Sequence, residues 1–216
     1  MKFLVILGFL IGFGGVLTAA GFVPLASQER VVSQTSVANN GGRLENFIIR
    51  LPADRITTTG DQARPRLVLD PVTAVAAPAD LATAGFMLEQ FKLRNVDGDV
   101  IGTAMRHWTE ADDASASTWS VSLPSRGTLV WVSEGNAPGR LSAALAAAGA
   151  VPGVAWEGEL RVPLADDDNI GRVVTGTEEF AGSAGVVAEV WDVSGVGSNG
   201  ELRGTISIET RVSRAQ

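Results

Sequence analysis

Residues 201–212 read Glu201-Leu202-Arg203-Gly204-Thr205-Ile206-Ser207-Ile208-Glu209-Thr210-Arg211-Val212. Leu202, Ile206, Ile208, Thr210 and Val212 fall on one parity; Glu201, Arg203, Thr205, Ser207, Glu209 and Arg211 fall on the other. Successive side chains of a strand point to opposite faces, so this stretch is an antiparallel strand with one buried and one solvated face. Asn199-Gly200 precedes it. That dipeptide accepts the positive φ values of a tight hairpin turn and links the strand to an earlier alternating run at 184–193.

The same pattern recurs upstream. Period-2 alternation with Val, Ile, Thr, Trp and Phe enrichment predicts further strands near 46–51, 66–70, 84–94, 99–109, 117–123, 127–133, 155–163 and 170–176. Asp97-Gly98 joins 84–94 to 99–109, and Ser125-Arg126-Gly127 makes another reversal. One helix is expected at about 137–148, with Asn136 as cap, Pro138 in the first turn and Gly149 as stop. Its Leu141, Leu145 and Ala148 form a narrow apolar stripe. Many short strands in hairpin order, with no βαβ rhythm, predict a mainly β fold, an antiparallel barrel or sandwich.

Ahead of the strands lies a segment of different character. Met1-Lys2 is followed by an apolar run from Phe3 to Ala26. A positive charge before an apolar run is the order of a secretory signal, and Thr18-Ala19-Ala20 offers small residues before a cut at Gly21. The run is also long enough to stay as an N-terminal membrane anchor, with Gly8 and Gly12 on one helix face. Both readings send the remainder out of the cytoplasm, to the periplasm or medium of a bacterium or onto the outer face of its inner membrane. Residues 27–45, rich in Ser, Gln, Asn and Gly, read as a flexible linker. The organisation expected is therefore 1–26 signal or anchor, 27–45 linker and 46–216 β domain.

Composition excludes much chemistry. The 216 residues include no Cys, no Tyr, one His (His107) and two Lys (Lys2 and Lys92). There is no disulfide framework, no thiolate metal site and no cysteine nucleophile. A zinc site built on two or more histidines is impossible. The net charge of −7 argues against nucleic-acid binding, which needs a basic face. No nucleophile elbow, P-loop or dinucleotide fingerprint occurs, so no cofactor is called for. Asp166-Asp167-Asp168-Asn169 and Asn95-Val96-Asp97-Gly98-Asp99 are oxygen-rich, but neither has the spacing of a calcium loop. They read as acidic turns, with no metal site expected.

The C-terminal third runs Gly176-Thr177-Glu178-Glu179-Phe180-Ala181-Gly182-Ser183-Ala184-Gly185, then a strand ending Glu189-Val190-Trp191, then Asn199-Gly200-Glu201-Leu202-Arg203-Gly204. Over residues 170–212 this resembles the G-T-G-x-F-x-G-x-x-G turn and following strands of the allene oxide cyclase-like and dirigent-like barrels. The resemblance implies a calycin-type antiparallel barrel of about eight strands, related in architecture to lipocalins. It departs at Glu178, where that group usually has Gly. It also implies a cavity that fixes the conformation of an unsaturated molecule while one polar group assists. In such a barrel Phe180 would plug one end.

Alternation nominates residues for the interior. Glu189 shares a parity with Val187, Trp191 and Val193, and Glu89 with Met87, Phe91 and Leu93; in both strands the opposite phase also alternates. A carboxylate among apolar neighbours is a candidate general acid or base. His107, in the strand with Ile101 and Met105 on its own parity, is the only side chain with a naturally poised proton near neutral pH. Glu89, His107 and Glu189 are the candidate catalytic set. Trp119, Trp131, Trp156, Phe180 and Trp191 are the candidate ligand-binding walls. Glu157, Glu159 and Arg161 are expected to face water. The leading expectation is an exported barrel that holds a small apolar or lipid-like molecule. The alternatives are a cyclase or isomerase acting on an unsaturated hydrophobic substrate, and a structural barrel packed solid by its own side chains.

Overall fold

The computed structural model describes residues 35–37, 42–60, 74–76, 86–109, 116–134, 137–165 and 171–214. The expected strand at 66–70, the signal or anchor at 1–26, Asn136 and the acidic run 166–169 lie outside the described residues. The strands are β1 (Thr35–Val37), β2 (Arg43–Leu51), β3 (Arg55–Gly60), β4 (Ala74–Ala76), β5 (Phe86–Arg94), β6 (Val100–Thr109), β7 (Ala116–Leu123), β8 (Gly127–Glu134), β9 (Trp156–Ala165), β10 (Gly171–Gly176), β11 (Ser183–Val196) and β12 (Leu202–Arg214). Among the described residues one α-helix, α1 (Ala137–Ala147), lies between β8 and β9, and one 3-10 turn covers Glu178–Phe180.

Eight of these strands close into an antiparallel barrel in the order β2-β12-β11-β10-β8-β7-β6-β5, with β5 returning to β2 at Arg94 and Ile48. β5 to β8 form a meander, and the 201–212 stretch is the inner part of β12, paired with β11 and β2. Its buried set is Leu202, Ile206, Ile208, Thr210 and Val212, the parity expected from sequence. Gly98 and Gly200 take positive φ (95° and 85°) at the two predicted hairpin turns. β9 is an extra strand that pairs with β11 beyond the end of β10. α1 packs on β9 through buried Leu141 and Leu145, while Trp156 Nε1 donates to Ala148 O at 3.0 Å.

β1, β3 and β4 were not expected. β3 pairs with β5 just past a three-residue bend that follows β2, so β2 and β3 act as one bent strand whose first half pairs with β12 and whose second half pairs with β5. Pro52 and Asp54 interrupt the alternation there, which hides the continuation from a periodicity reading. β1 and the first residues of β2 fall inside 27–45, the expected linker. Its last residue, Glu45, is fully buried because Arg126, from a distant turn, compensates its charge.

Phe180 fills one end of the barrel. It is 2% exposed and lies under the guanidinium groups of Arg126 and Arg43, 5.3 and 5.6 Å from its ring centre. Arg126 makes a two-pronged contact with Glu45 (2.6 and 3.1 Å) and donates from Nε to Glu179 at 3.1 Å; Arg43 also pairs with Glu179. Gly176 is required here, since a Cβ on it would stand 2.5 Å from Phe180 O. Glu178 has φ 52°, the left-handed region in which glycine is unstrained, which gives a physical reason for Gly at that motif position.

Candidate functional site

Alternation on β5, β6, β7, β8 and β11 brings a polar band into the barrel. Glu89 pairs in register with Arg106, Arg106 with Trp119, and Trp119 with Trp131. All four are 0% exposed. Glu189 enters from β11 at 1% exposure, flanked by Val187 and Trp191. The inward phase is thus the one that places Glu89 with Phe91 and Leu93, and Glu189 with Val187, Trp191 and Val193.

Glu189 is heavily engaged. Trp191 Nε1 donates to its Oε1 at 2.7 Å and Trp119 Nε1 to its Oε2 at 3.0 Å. Arg106 Nη1 lies 3.5 Å from Oε1. The Arg106 guanidinium is held between two indoles, 5.2 Å from the Trp119 ring centre and 5.0 Å from that of Trp191, in cation–π geometry. Burial pushes the Arg106 pKa below its ordinary value and nearby Arg55 adds to the lowering, while Glu189 and Glu89 pull the other way. Glu89 faces Arg55 Nη2 at 3.3 Å, and the Arg55 guanidinium lies 5.8 Å from the Phe91 ring centre. Among the described residues, two guanidinium and two carboxylate groups therefore share this interior.

A second group adjoins the first, one pair further from the Phe180 plug. Ser117 and Ser133 are direct cross-strand partners, both buried. Trp131 stacks on Trp119 at 5.8 Å and 18°. The Ser117 and Ser133 hydroxyls and Trp131 Nε1 are buried and hold no hydrogen-bond partner among the described residues; nor do Nε and Nη1 of Arg55. Ser133 Oγ and Trp131 Cδ1 both lie within 3.2 Å of the point where a Cβ on Gly171 would stand. The absence of a side chain at Gly171 is what lets β10 pass over them.

The remaining expected site residues fall elsewhere. His107 is half-buried on β6 between inward Arg106 and residues of the outer wall, so it does not share the interior with the two glutamates. A bulge explains the misreading of its face. Leu93 pairs with Gly102 and Arg94 with Val100, leaving Ile101 as an extra residue. Ile101 is thereby buried while Met105, on the same parity, is 41% exposed. Trp156 is partly buried against α1 rather than in the band, and Phe180 belongs to the opposite plug. Glu157, Glu159 and Arg161 are exposed, as expected.

Sequence reasoning missed Arg55, Arg106, Ser117 and Ser133. An arginine next to His107 and serines at the ends of the predicted strands 117–123 and 127–133 gave no composition signal; only strict alternation with Trp119 and Trp131 could have placed Ser117 and Ser133 inside. A surface depression of about 880 Å³ on the outer wall, lined by Arg50, Arg161, Asp192 and Arg203, is unlike the interior band. Its charges pair with exposed neighbours, Arg161 with Asp192 (3.0 Å) and Arg203 with Glu157 (2.6 Å). Among the described residues no cluster of three or more acidic or histidine side chains could hold a metal ion, and no helix is long and apolar enough to cross a membrane.

No protein-family model matches the chain. A search of curated proteins likewise finds no match.

Proposed function

We propose that the chain is an exported β-barrel protein that binds a small, largely apolar molecule in its interior, at the end opposite the Phe180 plug. The observation that supports this reading is the set of buried polar atoms that hold no partner among the described residues, Ser117 Oγ, Ser133 Oγ and Trp131 Nε1. Each such atom costs about 1–3 kcal/mol if it stays unsatisfied. A barrel evolved only to be solid would place apolar groups there. Trp119 and Trp131 supply the apolar wall. Export rests on the charge-then-apolar order of residues 1–26.

A structural barrel is the second reading. Its support is Arg106, which fills the space between Trp119 and Trp191 and is held by Glu189. That arrangement stiffens the centre without requiring a ligand. Catalysis has less support, since both oxygens of Glu189 already accept from indoles and His107 lies on the outer side.

Organic extraction of the purified full chain, followed by mass spectrometry, separates the readings. A stoichiometric small molecule supports the binder, and reproducible absence supports the solid barrel. N-terminal sequencing of the protein recovered from the cell envelope tests export: a start at Gly21 means a cleaved signal, and an intact Met1 in the membrane fraction means an anchor.

A further inference from the structure

Resting on the interior-binding reading, the geometry points to a site for the neutral carbonyl oxygen of a flat, unsaturated compound, formed by Trp131 Nε1, Ser117 Oγ and Ser133 Oγ. These three groups are 0%, 1% and 3% exposed and hold no partner among the described residues. Register places them together. Ser117 and Ser133 face each other across β7 and β8, and Trp131 is two residues from Ser133 on the same inner face. Cross-strand partners have Cβ atoms about 4.5–5.5 Å apart, so one atom can be reached from both hydroxyls. An indole N–H can only donate, and a hydroxyl can donate. The group they share must therefore accept, as an oxygen does.

Charge decides which kind of oxygen. Among the described residues, the adjoining band holds Arg55 and Arg106 against Glu89 and Glu189, two positive and two negative groups. A carboxylate ligand would add an uncompensated negative charge to a buried region, which is costly. A ketone, lactone, amide or quinone oxygen adds none. Trp119 is covered by Arg106 and Trp131, so the aromatic surface left for the body of the same molecule is that of Trp131, beside the donors.

Calorimetric titration of the full chain with acetophenone, ethylbenzene and benzoate tests this. The three share a ring and differ in carrying a neutral carbonyl, no acceptor or an anion. Acetophenone is expected to bind at least about tenfold more tightly than either of the others, the effect of satisfying buried donors. In a Ser117→Ala/Ser133→Ala variant, and separately in Trp131→Phe, acetophenone should fall to within about threefold of ethylbenzene while ethylbenzene keeps its affinity. The serine variant leaves the aromatic wall intact, so it serves if Trp131→Phe does not fold. Equal binding of acetophenone and ethylbenzene by the unaltered chain overturns the carbonyl site but leaves interior binding standing. Tightest binding by benzoate overturns the neutral class. A preference that survives in the serine variant overturns the assignment of the donors. Absence of binding by all three overturns this site and the interior-binding reading together.

Discussion

Arg94 on β5 grips Asp54, in the bend between β2 and β3, across the line where the barrel closes. Its Nε lies 2.8 Å from Oδ2 and its Nη2 2.7 Å from Oδ1. The Arg50 amide donates to the same carboxylate at 2.8 Å, and Arg94 Nη1 donates to Gly98 O at 2.6 Å. Asp54 O in turn accepts from Lys92 N at 2.7 Å. The direct backbone contact between β2 and β5 is a single register pair and the seam continues as the β3–β5 ladder, so this clasp fixes the corner at which the bent strand passes onto β5.

The clasp makes stability depend on acid. Burial alone would raise the Asp54 pKa, but the Arg94 hydrogen bonds, the Arg50 amide and the positive charges of Arg94 and Lys92 outweigh it, and the pKa is lowered from 3.8. A lowered folded-state pKa gives stability that is fully present above the unfolded value and is lost as pH falls through the folded one. The chain should therefore be weakened from about pH 4 downward. Asp54→Asn should cost about 2 kcal/mol at pH 7 and remove part of that acid dependence. Urea melts of both proteins at pH 7 and pH 3 measure it; equal losses on acidification would contradict the assignment.

Glu189 holds the centre of the interior. Glu189→Ala removes the acceptor of two indoles and a countercharge of buried Arg106, and should destabilise by about 3–5 kcal/mol. Glu189→Gln keeps one acceptor oxygen and should cost less. Denaturant melts followed by near-ultraviolet circular dichroism, which reports the tryptophans directly, check both. His107→Ala, on the other side of β6, should leave acetophenone affinity within about twofold.

The plug offers two opposite outcomes. Phe180→Ala empties a buried ring site and should cost about 3–5 kcal/mol. Glu178→Gly relieves a left-handed backbone conformation and should gain about 0.5–1 kcal/mol, because the strain removed exceeds the added chain entropy. Thermal melts of the two variants give the signs; a destabilised Glu178→Gly would show that its side chain matters more than its φ.

The buried serines should contribute little to the unliganded fold. Removing a hydroxyl that has no partner relieves a desolvation cost, so Ser117→Ala and Ser133→Ala should each be neutral or stabilising by up to about 1 kcal/mol. Equilibrium unfolding decides it. A loss above about 1 kcal/mol would mean that the hydroxyl already has a structural partner.

Most of the barrel was legible in the chain because strand periodicity and turn chemistry are local. The alternation at 201–212, the Asp97-Gly98 and Asn199-Gly200 turns and the helix near 137–148 depend on neighbours in sequence, and they reappear at nearly the same positions. β3 was not legible, since the bend that leads into it is held by Arg94, forty residues away. The site was legible only in part. Alternation nominated Glu89, Glu189 and Trp191 for the interior and residue type added Trp119 and Trp131, but the bulge at Ile101 reversed the face expected for His107 and turned Arg106 inward.

By itself the sequence determined a β protein without cysteine chemistry, the parity of 201–212 and the place of the hairpins, because each follows from residue type and short-range spacing. Only the tertiary structure decided which strands meet to close the barrel. It alone decided that, among the described residues, Arg55 and Arg106 meet Glu89 and Glu189 inside it and that the Ser117, Ser133 and Trp131 polar groups are buried without partners. The charge of a buried residue is tolerated only when its countercharge arrives, and that partner comes from another strand at a sequence distance no local pattern encodes.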